Sequence, residues 1–322
     1  MQAIQVAQNG GPEVLSPVTL PDPAPGPGEA VVALEACGVN YIDVYQRTGL
    51  YPVPRPFVIG QEGAGVVVGV GSEDPSVKVG DRVAFTGILG GYADQAVVPV
   101  DRLVAIPDGM GTDIAAAVML QGLTAHYLAH DTYRLRPGSR CLIHAGAGGV
   151  GRLLIQLAKQ QGATVFTTVG TDEKARLVDA AGADHAIVYT RSDFRAEIEA
   201  VVGERGLDVV YDSVGASTFD DGLELLAPRG LMVLFGQSSG PVPLFDLGRL
   251  GRAGSIYVTR PRLGDYIAER AELVARSDAV FQAVEAGDLA VRINGTFPLA
   301  KAAAAHRALE SRATTGKLLL VP

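Results

Sequence analysis

Cys141-Leu142-Ile143-His144-Ala145 runs directly into Gly146-Ala147-Gly148-Gly149-Val150-Gly151. An apolar strand thus opens into G-x-G-x-x-G, and the amphipathic stretch 151–161 behind it predicts a helix. That strand–turn–helix order is what gives the glycine pattern weight as a dinucleotide fingerprint. Gly146 is expected at the tight turn, Gly148 where a pyrophosphate nears the backbone, and Gly151 where helix and strand pack closely. The start of the helix would offer free N–H groups to the anion.

Downstream, strands at 164–169, 185–189, 208–211, 231–235 and 255–259 alternate with helices at 173–181, 194–202 and 218–226. Such alternation predicts βαβ units and a doubly wound parallel sheet. Upstream the pattern changes. Short strands at 3–6, 30–37, 63–70, 82–85 and 92–98 are broken by Gly/Pro turns, which predicts a compact β-barrel or sandwich. A helix at 115–130 joins the two regions. The tail has helices at 267–286 and 301–311 and a strand at 318–321. It is too short for a sheet of its own and is assigned back to the β-rich region. The expected division is therefore 1–123 with 263–322, and 124–262.

The chain has 322 residues, 48% hydrophobic and 19% charged, with 40 glycines. Such a chain folds, into about two domains. A net charge of −8 with no Lys/Arg run speaks against nucleic acid or an anionic membrane as partner. The first residues lack the basic and apolar regions of a secretory signal, and the apolar runs are too short to span a bilayer. Cys37 and Cys141 cannot build a disulfide framework and are expected as buried strand residues. A cytoplasmic location is expected.

The end of the second strand of the sheet selects the dinucleotide. It reads Val169-Gly170-Thr171-Asp172-Glu173-Lys174. NAD sites carry Asp or Glu about 20 residues past the fingerprint. Here Gly170 leaves room for a 2′-phosphate, Thr171 offers a hydroxyl and Lys174 a compact positive charge. NADPH is the expected cofactor, provided Asp172 and Glu173 point away.

Further motifs are Glu35-Ala36-Cys37-Gly38-Val39-Asn40-Tyr41-Ile42-Asp43, Gly60-Gln61-Glu62-Gly63-Ala64-Gly65, Val79-Gly80-Asp81-Arg82-Val83 and Ser311-Arg312-Ala313-Thr314-Thr315-Gly316-Lys317. With the 144–151 loop and 170–175, they make essentially the whole chain resemble the zinc-independent quinone oxidoreductases (zeta-crystallin type) of the medium-chain dehydrogenase/reductase superfamily. The resemblance implies an α/β fold in which a GroES-like β-barrel catalytic domain carries an inserted Rossmann domain with a doubly wound parallel sheet. It implies NADPH-dependent reduction of a small-molecule quinone. Asn40 would orient nicotinamide and substrate, Tyr51 would donate to the quinone oxygen, and Tyr45 and Gln61 would line the cleft. Thr124, the backbone of Ala147, Gly148, Gly149 and Val150, Ser213, Phe235 and Gly236 would lie along the cofactor. Lys174 and Tyr189 would face the 2′-phosphate, and Arg312 would reach the cofactor from the catalytic domain.

The zinc-dependent relatives carry Cys and His where this chain has Asn40 and Gln61. Neutral amides are poor zinc ligands, and no metal is expected. His126 and His130, four residues apart, read as helix-face residues. His144 is expected to hydrogen-bond backbone. The resemblance also implies a dimer or tetramer, with the strand at 255–259 as an edge for a homodimer. An enoyl reductase acting on an α,β-unsaturated carbonyl or thioester fits the same residues. An NADPH-binding structural or RNA-binding role is disfavoured by the negative charge.

Overall fold

Six parallel strands form one sheet in the order His185–Val188, Thr164–Val169, Arg140–Ile143, Leu207–Asp212, Leu226–Leu234 and Tyr257–Thr259. The strand that feeds the fingerprint lies inside the sheet, where the winding direction reverses and a crevice opens beyond the strand ends. Val209, Val210 and Tyr211 are wholly buried, as suits a sheet covered by helices. The helices Gly149–Gln160, Asp172–Asp179, Phe194–Val202 and Phe219–Leu225 connect the strands. Leu142, Phe166, Val210, Leu223 and Met232 pack into one core.

The structure, a computed structural model, describes residues 1–71 and 76–322. The chain divides into two units, Thr124–Asp265 with the parallel sheet, and Met1–Leu123 with Tyr266–Pro322. In the second of these, a seven-stranded sheet is built around Glu29–Val39. That strand pairs along one edge with Glu62–Val70 and along the other with Gln95–Pro99 and then Lys317–Val321. The two tail strands, Ile293–Pro298 and Lys317–Val321, run parallel to each other, while the other pairs in this sheet are antiparallel. A small sheet of Leu15–Thr19, Gln2–Val6 and Phe57–Val58 completes the unit.

Several elements differ from expectation. Residues 41–48, read only as part of a motif, form the helix Tyr41–Thr48, begun by Asn40 and ended by Gly49 at φ 84°. The helix expected over 115–130 is α-helical from Thr112 to Tyr127 and then widens into the π-turn Leu128–Thr132, where the Leu128 carbonyl accepts from the Tyr211 hydroxyl at 3.0 Å. The strands Leu15–Thr19 and Ile293–Pro298 carry Pro17, Gly295 and Pro298, which hid them. Cys37 and Cys141 are buried and unpaired, and burial pushes the Cys37 thiol up to about 12. Among the described residues no helix is long and apolar enough to cross a membrane.

Candidate active site

The fingerprint turn is shaped by contacts between backbones. Gly148 is the N-cap of Gly149–Gln160, so the first-turn N–H groups of Gly149, Val150 and Gly151 face the strand ends without an intrahelical acceptor. The left-handed residue of the turn is Ala145, at φ 54°, and not Gly146. Gly146 is required for space, because a Cβ there would lie 1.9 Å from Thr167 Oγ1. At Gly151 a Cβ would lie 2.6 Å from the Ala145 carbonyl oxygen, so helix and strand approach as expected. The nearest obstruction to a Cβ on Gly148 is 3.1 Å away, leaving its outer side open. His144 departs from expectation. Its Nδ1 meets the Thr168 hydroxyl at 2.9 Å rather than a carbonyl, its Nε2 has no hydrogen-bond partner among the described residues, and burial lowers its pKa.

Beyond the second strand, Thr171 caps Asp172–Asp179 by accepting from the Lys174 N–H at 3.3 Å, so its hydroxyl proton stays available. The Lys174 ammonium is half-buried, and desolvation holds it below the usual lysine range against the opposing pull of Glu173. Asp172 is engaged by Arg191 in a two-pronged pair at 2.7 and 2.9 Å. That pairing balances the carboxylate, and Arg191 was not singled out from sequence. Tyr189 follows the third strand, 47% exposed, with its hydroxyl over Gly170. Ser213, Phe235 and Gly236 come together past the next two strand ends: the Phe235 and Gly236 N–H groups share the Asp212 carbonyl, and a Cβ on Gly236 would lie 2.6 Å from the Ser213 oxygen. The buried Asp212 carboxylate holds this loop through the N–H groups of Val214 and Gly215 and the Thr218 hydroxyl. Thr124 is buried near the end of its helix.

In the other unit, Asn40 sits at the head of Tyr41–Thr48, 3% exposed. Its Nδ2 donates to Glu62 Oε1 at 2.6 Å, and its Oδ1 accepts from Lys317 Nζ at 2.9 Å and from Gln121 Nε2 at 3.4 Å. Its backbone N–H goes to Asp43 Oδ2 at 2.8 Å. Tyr45 and Tyr51 pack with ring centroids 5.1 Å apart, and Tyr41 lies 6.1 Å from Tyr45. Burial raises the Tyr41 hydroxyl pKa, while the nearby Arg312 guanidinium lowers it. Arg312 itself is exposed, at φ 59°. Gln61 is half-buried, and its carbonyl accepts from the Gly87 N–H. Behind the helix runs a buried chain: Asp43 Oδ2 accepts from the Tyr92 hydroxyl at 2.9 Å, Tyr92 meets His306 Nε2 at 3.1 Å, and His306 Nδ1 meets Arg47 at 2.9 Å. Arg47 forks onto Glu310 at 2.8 and 2.9 Å. Asp43, Glu62 and Lys317 lie within the motifs 35–43, 60–65 and 311–317 without a role that local sequence reveals, and His306 lies outside every motif. The spacing Asn40-x-x-Asp43 was the readable signal of a helix start.

The donor set around Asn40 does not suit zinc. It offers two neutral amides and a carboxylate already paired with an ammonium. Among the described residues no three His, Cys, Asp or Glu side chains gather as metal ligands would. The His126 and His130 rings lie against each other, tilted by 46° with centroids 4.4 Å apart.

A GroES-like unit joined to a Rossmann-type parallel sheet is the architecture of the medium-chain dehydrogenase/reductases. The family described as "Alcohol dehydrogenase GroES-like domain" matches residues 26–108, and "Zinc-binding dehydrogenase" matches 149–278. The chain is 47% identical to a quinone oxidoreductase of Pseudomonas aeruginosa over 99% of both chains. It is 38% identical to a 2-haloacrylate reductase of Burkholderia, over all of this chain and 99% of the other. The crystal structure of Escherichia coli quinone oxidoreductase complexed with NADPH superposes with a TM-score of 0.98, at 42% identity and full coverage of both chains. The chain belongs to the quinone oxidoreductase family of that superfamily.

Proposed function

We infer that this protein is an NADPH:quinone oxidoreductase that transfers hydride to a quinone without a metal, with Met1–Leu123 and Tyr266–Pro322 as catalytic domain and Thr124–Asp265 as NADPH-binding domain. One observation carries the reading. The end of the second strand offers no carboxylate to a ribose hydroxyl: Gly170 lies beneath the Tyr189 hydroxyl, Lys174 stands in the next helical turn, and Asp172 is neutralised by Arg191. NADPH, when bound, supplies the hydride.

The residues of this chain bind, orient and exclude water. The N–H groups of Gly149, Val150 and Gly151 take the pyrophosphate, with Gly146 and Ala147 shaping the turn beneath it. Gly170, Thr171, Lys174 and Tyr189 take the 2′-phosphate. Ser213, Phe235, Gly236, Thr124 and Arg312 flank the rest of the cofactor. Asn40 orients the nicotinamide and substrate, and the Tyr45–Tyr51 pair with Gln61 forms an aromatic and amide wall. From that wall the Tyr51 hydroxyl donates to the quinone oxygen. A quinone tolerates developing negative charge, so one phenolic donor and good positioning replace the Lewis acid that an alcohol would require.

The 2-haloacrylate reductase relative favours a second reading, reduction of a C=C bond conjugated to a carbonyl. Steady-state turnover with NADPH separates the two. We expect 1,4-benzoquinone to be reduced faster than 2-chloroacrylate or a small enone, and inactivity on every quinone would overturn the first reading. We further propose a homodimer through the edge strand Tyr257–Thr259, whose Tyr257 and Val258 are 60% and 38% exposed. Light scattering of Val258→Lys should report a monomer where the parent chain is a dimer.

A further inference from the structure

Strand register brings a buried ion pair to Asn40. Lys317–Val321 runs antiparallel to Glu29–Val39 with Leu318 opposite Val39 and Leu319 opposite Gly38, which sets Lys317 beside Asn40. On the other edge Gly63 pairs with Cys37, so Glu62 falls beside Gly38. A Cβ on Gly38 would lie 1.9 Å from Glu62 Oε1, so only glycine lets the carboxylate in. Lys317 and Glu62 are in contact there, 1% and 0% exposed.

Such a pair is weak evidence for stability. Two buried charges are often matched or bettered by apolar residues of the same size. What the pair does provide is direction. An ammonium only donates and a carboxylate only accepts. Between them, Asn40 turns Oδ1 to Lys317 Nζ at 2.9 Å and Nδ2 to Glu62 Oε1 at 2.6 Å. Flipping the amide would set its NH2 against the ammonium and its oxygen against the carboxylate, replacing two attractions by two repulsions. The Leu120 N–H holds the other carboxylate oxygen at 2.6 Å, so Glu62 is not free to rotate away. The remaining contacts of the amide are long: Nδ2 to the Gly38 carbonyl and Gln121 to Oδ1, both 3.4 Å. One N–H and one lone pair of Asn40 are thus weakly held and can turn to a ligand.

We propose that Lys317 and Glu62 are positioning residues for quinone reduction, their ion pair locking the Asn40 amide in a single orientation. This rests on the reading of Asn40 as the residue that orients nicotinamide and substrate. Neither charge is needed at the reacting atoms. The lock ensures that the same edge of the amide meets them in every turnover.

The test compares Asn40→Ala, Lys317→Arg and the double variant Lys317→Met/Glu62→Gln, which removes both charges together and leaves none buried alone. Each is measured for melting temperature, NADPH affinity by fluorescence, and kcat and KM with 1,4-benzoquinone. The chain has only three asparagines, Asn9, Asn40 and Asn294, so selective 15N-asparagine labelling also reads the Asn40 amide directly without cofactor. We expect the double variant to fold and to keep its NADPH affinity within about twofold, because the phosphate-binding groups are on the other unit, while kcat falls about tenfold. Lys317→Arg, which still donates, should retain most of kcat. The parent protein should show one Asn40 amide proton shifted well downfield and slow to exchange, and the double variant should lose that signature. A folded double variant with parental kcat, beside an Asn40→Ala variant that has lost activity, overturns the lock alone. Parental kcat in Asn40→Ala overturns the proposal through the role of Asn40 itself.

Discussion

The Tyr189 hydroxyl stands over Gly170 so closely that a Cβ at position 170 would lie 3.1 Å from its oxygen and 3.5 Å from the ring carbon that bears it. The position from which an NAD-binding carboxylate would project is therefore partly occupied. Gly170→Asp should weaken NADPH binding at least about tenfold through charge repulsion without creating a good NADH site, because the new side chain must first displace Tyr189. Tight NADH binding should require Gly170→Asp with Tyr189→Ala. Fluorescence titration of both cofactors against the single and double variants decides it, and tight NADH binding by the single variant would contradict the steric argument.

The Asp172–Arg191 pair carries a second prediction about charge. Lys174→Ala should lower NADPH affinity about tenfold or more and leave NADH nearly unchanged, since the lost interaction is a charge-assisted one to the 2′-phosphate. Arg191→Ala should also weaken NADPH, by a smaller factor, because it exposes the uncompensated Asp172 carboxylate. Removing both partners, Asp172→Ala with Arg191→Ala, should recover part of that loss. Both side chains are more than half exposed, so the Arg191 effect should shrink as salt is raised. Additive losses in the double variant would mean that the two residues act independently.

Gly146→Ala tests the fingerprint turn as packing. With φ in the ordinary region, alanine is opposed there chiefly by the 1.9 Å approach to Thr167 Oγ1, with Ile155 Cδ1 and Thr167 Cβ next at 3.1 Å. Overpacking of this kind typically destabilises by about 1–3 kcal/mol. Thr167→Ala removes the obstructing oxygen, at the loss of its 2.7 Å bond to the Ile143 carbonyl. It should therefore suppress part of the Gly146→Ala penalty. Denaturant melts of the two single variants and the double variant give the coupling, and strict additivity would show that the turn fails for another reason.

How far the sequence could be read follows from how local each signal is. Most of the parallel sheet was legible because its strands are apolar runs between helices, and 164–169 and 194–202 match to the residue. Leu226–Leu234, by contrast, begins five residues before the expected 231–235 because Pro228, Arg229 and Gly230 mask its start. The glycine turn was legible as chemistry, although the strained residue is Ala145 and not a glycine. Tyr41–Thr48 was hidden, since eight residues give too few turns for a period to emerge and only the Asn40–Asp43 spacing marks it. The Asn40–Glu62–Lys317 and Asp43–Tyr92–His306 groupings were not legible at all. The first joins residues up to 277 positions apart through strand register, and the second joins the helices Tyr41–Thr48 and Ala302–Glu310 through Tyr92.

The chain Asp43–Tyr92–His306 makes a prediction in pH, because its two ends are perturbed in opposite senses. Burial pushes the Asp43 carboxyl from 3.8 up to about 7, against the bonds it accepts from Asn40 and Tyr92. Burial, with the Arg47 charge, pushes His306 from 6.5 down to about 3. Between about pH 4 and 7 the folded protein holds a proton on Asp43 that the unfolded chain has released, so this group alone makes stability fall as pH rises. Between about pH 3 and 6.5 the unfolded chain holds a proton on His306 that the folded protein lacks, so this group alone makes stability rise with pH. Each slope is about 1.4 kcal/mol per pH unit, and over pH 4 to 6.5 they offset. The contribution of this network should therefore be nearly flat there in the parent protein. His306→Gln should unmask falling stability from pH 4 to 7. Asp43→Asn should unmask rising stability from pH 4 to 6.5. Urea unfolding at half-unit pH steps measures both, with the parent curve subtracted to remove the other titrating groups. A flat difference curve for either variant would mean that the group it removes keeps its ordinary proton affinity in the folded state.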